Sequence, residues 1–188
     1  MANKIKYGLR NVYYAKVTGT DETTGALTYG TPVPLPGAVS LQMDAAGDES
    51  PFYADDVVYW QGSANNGYSG SLELALIPDS FRQDILGEKQ TQNGIFYETS
   101  DVSAAEFALF FEFQGDESAT RHIFFRCSAS RPAVNGQTQE ASITPQTETF
   151  NLTAMTRIND RMVKARCPKE SAAYNTWFEA VPTITPAA

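Results

Sequence analysis

The groups best suited to chemistry in this chain are Asp55 and Asp56, adjacent carboxylates within the stretch SPFYADDVVYWQGSANNGYSG at residues 50–70. A glycosidase places two carboxylates on one substrate, about 5 to 10 Å apart. Consecutive strand residues point to opposite faces, so these two converge only if a bulge intervenes. Glu73, on the next extended segment, could face one of them across a hairpin. His122 is the only histidine, which excludes a His-rich metal site and leaves one candidate general base. Cys127 lies five positions further along, where strict alternation puts the two side chains on opposite faces and argues against cysteine–histidine catalysis. No nucleophile-elbow, zinc-protease, phosphate-loop or dinucleotide signature is present. GDES at residues 47–50 and 115–118 lacks the ligand spacing of a calcium loop and reads as a turn. No enzymatic activity, metal or cofactor is expected.

The elements that must position these groups are strands. With 188 residues the chain has room for one domain, and its 11 Phe and 9 Tyr favour sheet and interface positions. Residues 12–17 (VYYAKV), 26–30 and 38–44 (AVSLQMD) read as strands, with Pro32, Pro34 and Pro36 holding an extended connector or sheet edge between the last two. Residues 51–60 and 68–77 read as a long hairpin with Asn65-Asn66-Gly67 at its tip. A short helix is expected over 79–87, capped by Asp79 and closed by Gly87. In EFALFFEFQ (106–114), Phe107, Leu109, Phe111 and Phe113 share one face, opposite Ala108, Phe110 and Glu112, and 119–130 supplies the antiparallel partner. Thr147, Thr149, Asn151 and Thr153 share a face of another strand. SAAYNTWFEAV (171–181) resembles a short helix. The fold class is mainly β, an antiparallel sandwich or curled sheet with one or two short helices.

A formal charge of −8 and a pI near 4.6 argue against a sequence-independent nucleic-acid binder, although an acidic wall can guide DNA without holding it. No secretory h-region follows the basic start, and no apolar run is long enough for a membrane helix, so no membrane insertion is expected. Cys127, in a strand-like pattern, reads as a buried free thiol, with a disulfide to Cys167 left open by sequence.

The blocks KYGLRNVYYA, YGTPVPLPGAVSL, SPFYADDVVYW, NNGYSGSLELALIPDSF, FALFFEFQGDESATRH, CSASRP and PQTETFNLTA closely resemble, in order and spacing, the major tail proteins of long non-contractile-tailed bacteriophages, the phi13-type family. The resemblance spans about residues 6 to 154; residues 155–188 match less and read as a C-terminal arm of a single tail-tube domain, 1–188. It implies a β-domain with an extended loop or hairpin at 50–70 and terminal arms. It also implies hexameric rings stacked into a tube around a tape-measure protein, between a head–tail terminator and distal tail proteins. Double-stranded DNA would pass through an acidic channel of a virion tail made in the bacterial cytoplasm. A carbohydrate- or receptor-binding sandwich, or a related single-ring tail protein, is the alternative.

On that reading Phe52, Tyr53, Asp55, Asp56, Tyr59, Trp60, Asn65, Asn66 and Tyr68 are expected to contact neighbouring subunits. Arg121, Arg126 and Arg131 are expected to meet acids of adjacent subunits. Glu73, Glu112, Asp116 and Glu117 are the expected channel-lining acids.

Overall fold

Alternation of large apolar residues with small or polar ones drives most of the chain into strands. A computed structural model describes residues 5–116, 118–138 and 145–185. In chain order the elements are β1 (Leu9–Thr20), β2 (Leu27–Tyr29), β3 (Val33–Pro34), β4 (Ala38–Ala45), β5 (Glu49–Ala54), β6 (Val57–Ser63) and β7 (Tyr68–Leu74). A short helix, α1 (Asp79–Phe81), runs into a π-helical turn, Arg82–Leu86; then follow β8 (Lys89–Gln90), β9 (Phe96–Tyr97), β10 (Phe107–Phe113), β11 (Arg121–Ala129), β12 (Glu148–Met155) and β13 (Lys164–Cys167).

Among the described residues, nine strands form one antiparallel sheet in the order β2-β1-β10-β11-β12-β7-β4, with β3 on β1 and β13 on β11. The sheet curls around the phenylalanine face foreseen in β10: Phe107, Leu109 and Phe111 pack with Tyr14, Leu72, Leu74, Phe150 and Leu152. Phe81, delivered by α1, plugs this interior, its ring edge-on to Tyr14 and Phe107 at 5.1 and 5.4 Å. Each such ring contributes on the order of 1.5–3 kcal/mol by leaving water. The Tyr14 hydroxyl donates to Asp84 at 2.8 Å; burial first, with the Asp84 carboxylate adding to it, pushes its pKa up to about 12. Asp79 is the first residue of α1 and makes no cap; Pro78 occupies the N-cap position, and Gly87 closes the π turn with φ 79°.

The opposite face of the central strands, Ala15, Ala108, Phe110, Ile123 and Phe125, is covered by Trp177 and Phe178 of the C-terminal segment. The helix expected there does not form. Residues 171–179 fold as successive turns, with Tyr174 N–H donating to Ser171 O and Trp177 N–H to Tyr174 O. Trp177 and Phe178 both pack on this sheet face.

A bulge corrects a second expectation. Phe107 pairs with Cys127 but Leu109 with Phe124, so β11 carries one extra residue in between. His122, stacked on Phe111, and Cys127 therefore lie on the same interior face, with Phe124 between them in sequence and in the same cluster.

Candidate functional site

The hairpin expected from sequence, residues 51–60 against 68–77 with Asn65-Asn66-Gly67 at its tip, does not form; a shorter one lies wholly within residues 49–63. β5 pairs with β6, from Glu49↔Ser63 to Ala54↔Val57, and Asp55-Asp56 is its two-residue turn. Both aspartates have positive φ, 52° and 62°, as a type I′ turn demands; Asp tolerates this region better than most residues with a Cβ. The paired carboxylates are thus turn formers. β7 instead lies between β4 and β12, with Glu73 opposite Ser40 and Thr149, so Glu73 does not face the aspartates across a hairpin.

The β5–β6 ladder is a sheet of its own. Cross-strand pairs put Phe52 and Trp60 on one face and Tyr53 with Val58 on the other, the register shifting around Tyr59. Phe52, Tyr53, Tyr59 and Trp60 are 58–73% exposed. Both faces are therefore apolar and uncovered. A lone two-stranded ribbon is marginal in water, and a contiguous apolar surface of this kind marks an interaction site.

Asn65, Asn66 and Gly67 form the root of the hairpin. Asn66 N–H donates to Ala46 O at 2.8 Å, Ala46 N–H to Gly67 O at 2.9 Å, and Asn65 Oδ1 accepts Gly67 N–H at 3.1 Å. Gly67 passes so close to β12 that a Cβ would stand 2.0 Å from Ala154 O. Tyr68 opens β7 with its ring against Phe124 at 5.3 Å and under the Lys164 ammonium at 4.3 Å.

The three arginines expected to reach neighbours already have acids within the subunit. Arg121 binds Glu112 at 3.2 Å and lies over the rings of Tyr174 and Phe178. Arg126 forms a two-pronged pair with Glu106, both contacts 2.8 Å. Arg131 meets Glu98 at 2.5 Å. Glu112 stands opposite Arg121 across the β10–β11 hairpin and Glu106 immediately precedes β10, whereas Glu98 is distant from Arg131 in sequence.

Among the acids, Glu112 is 4% exposed, held by Arg10 at 2.9 Å, Asn11 at 2.6 Å and Arg121. Its charge is matched by these partners within the subunit. Asp116 accepts the N–H groups of Ser118 and Thr120 and orders the β10–β11 turn; burial raises its pKa, but these bonds outweigh it and lower it. Glu117 lies outside the described residues. Glu73 accepts from Thr147 at 2.6 Å and Ser40 at 2.8 Å, which lowers its pKa.

Glu73 belongs to a wider polar face. The outward residues of β4 (Ser40, Gln42, Asp44), β7 (Ser69, Ser71, Glu73) and β12 (Thr149, Asn151, Thr153) stand in register as a grid of polar side chains with two carboxylates and no cation. The sequence carries a signal for this face in its charge distribution. From residue 17 to 81 the chain has nine acids and no lysine or arginine, while the remainder holds thirteen acids against fourteen bases.

The chemistry candidates do not assemble. Cys127 is fully buried, and burial holds its thiol well above its ordinary pKa, leaving it protonated and unreactive. It does not pair with Cys167, which faces the other apolar cluster. His122 is stacked on Phe111 at 5.1 Å with no carboxylate bonded to it; burial, then the charge of Lys6, lowers its pKa.

A mainly β chain that keeps a polar sheet face in water and extends an exposed apolar ribbon has the form of an assembly subunit. The chain belongs to the phage tail tube protein family, whose model matches residues 1–154. It is a structural component of a bacteriophage virion tail, where such proteins build a tube with other tail components. No curated protein matches the chain. No helix among the described residues is long and apolar enough to cross a membrane.

Proposed function

We propose that this subunit forms hexameric rings that stack into the tail tube and enclose the channel through which the genome passes from capsid to host. The observation that carries the reading is the β5–β6 hairpin, apolar on both faces, a sheet of its own, and exposed among the described residues. A surface of this kind is stable once neighbouring copies cover it, and the contact is heterologous, so it can propagate.

The polar grid on β4, β7 and β12 supports a channel wall there. Hydroxyls, amides and the carboxylates of Asp44 and Glu73 offer phosphates no cation to bind, so DNA slides without being retained. Sheet edges left open in the single chain, at β4 and β2, would be closed by neighbours in a ring, which relieves the aggregation hazard of long strands.

The test is electron microscopy of the purified full chain at rising concentration. Hollow tubes of constant diameter are expected. Single rings that never stack would favour a terminator or distal-tail role, and a protein that stays monomeric at every salt concentration would overturn the assembly reading.

A further inference from the structure

The hairpin has a complementary surface on the same molecule. A cleft of about 240 Å³ opens between β4 and β7 on one side and β10, β11 and β13 on the other, walled by Tyr68, Phe111, His122 and Phe124. Two ammonium groups guard it: Lys6 lies 4.9 Å from the Phe113 ring centre, and Lys164 4.3 Å from that of Tyr68. Arg166 stands opposite His122 on β13. Among the described residues, none of these three cations has a carboxylate within salt-bridge distance, whereas Arg10, Arg82, Arg121, Arg126, Arg131 and Arg157 each have at least one.

We propose that the tip of the β5–β6 hairpin of one copy docks at this cleft of the next, its exposed aromatics against Tyr68, Phe111 and His122 and its Asp55 and Asp56 carboxylates against Lys6, Lys164 and Arg166. The inference rests on the self-assembly reading above and specifies its contact. Charge complementarity selects the occupant: the hairpin is acidic and has no base, and the cleft rim is basic. Geometry excludes the copy's own hairpin. The strands that carry the hairpin, β4 and β7, also supply Met43 and Tyr68 to the cleft. The cleft is thus at the hairpin's root, and six residues of β5 carry the tip roughly 20 Å away from it. Donor and acceptor sites are different surfaces of one chain, so the contact is head-to-tail and repeats from copy to copy. Desolvating carboxylate–ammonium pairs beside aromatic rings also gives the contact a salt dependence.

Two full-length variants test it, Val57→Cys beside the tip and Lys164→Cys at the cleft; the native cysteines are buried. Mixed under mild oxidation, they should yield a disulfide-linked dimer that neither yields alone. A mixture that forms tubes without that crosslink overturns the docking and leaves the assembly reading standing; a wild-type chain that does not assemble overturns both. Independently, Lys6→Gln with Lys164→Gln, checked for an unchanged circular dichroism spectrum, should raise the protein concentration needed for tubes. An unchanged threshold overturns the proposal.

Discussion

Asp55 and Asp56 share one peptide bond and one unusual conformation, φ 52° and 62°, and together reverse the chain between β5 and β6. This relationship makes them a turn, and turn chemistry predicts how they respond to substitution. Asp55→Asn with Asp56→Gly should preserve the hairpin, because that pair suits both left-handed positions. Asp55→Val with Asp56→Val should cost about 1–2 kcal/mol per residue, confined to the hairpin. Amide exchange at Phe52 and Trp60 would accelerate while the global melting temperature stays put.

Glu112 is the buried hub between Arg10 and Arg121. Glu112→Gln leaves the Arg121 guanidinium partly buried without its carboxylate, and the expected loss is about 3 kcal/mol, read from the urea midpoint. Adding Arg121→Met should recover part of that loss, since the stranded charge is then gone. Additive effects would show that the two residues do not interact.

The imidazole of His122 is pressed between Phe111 and Phe113, with Lys6, Lys164 and Arg166 nearby and Asp116 opposing them. Burial first, then the cations, lowers its folded pKa below an unfolded value of about 6.5. The unfolded chain therefore binds the proton more readily. The stability contributed by neutral His122 is complete above pH 6.5 and is lost as pH falls from there toward the folded pKa. Urea midpoints should drop between pH 7.5 and pH 5 in the wild type, and drop less in His122→Phe. An identical decline in both would remove His122 as the cause.

The chain has two tryptophans, one in each kind of environment. Trp177 is buried in the subunit, and Trp60 is 58% exposed with its indole folded over Gly62. Tube formation should shift the emission of Trp60 to the blue and protect it from acrylamide. A Trp177→Phe background isolates the signal. Emission unchanged between monomer and tube would exclude the hairpin from the contact.

Much of the sheet was legible in the chain. The period-two pattern of β10 put Phe107, Leu109 and Phe111 on the interior face, and Thr149, Asn151 and Thr153 on an outward face, as found. The register of the hairpin was not legible, because two turn signals compete there. Asn65-Asn66-Gly67 is the stronger one locally, but its glycine answers a different need: the backbone must pass beside Ala154 with no room for a side chain. Nor could sequence pair β7 with β12, or Arg131 with Glu98, since both contacts span segments whose closure leaves no local trace. The bulge in β11 had no signature either, and it moved Cys127 to the face of His122.

The root of the hairpin has a consequence of its own. Ala45 pairs with Tyr68, and Ala46 exchanges hydrogen bonds with Asn66 and Gly67, so β4 and β7 are already zipped together beneath the ribbon. Residues 49–63 hang from a closed junction, and none of them belongs to either apolar cluster of the subunit. Folding and reach are thereby separated in this subunit: the length of the ribbon sets how far one copy extends, while the zipped junction beneath it belongs to the fold.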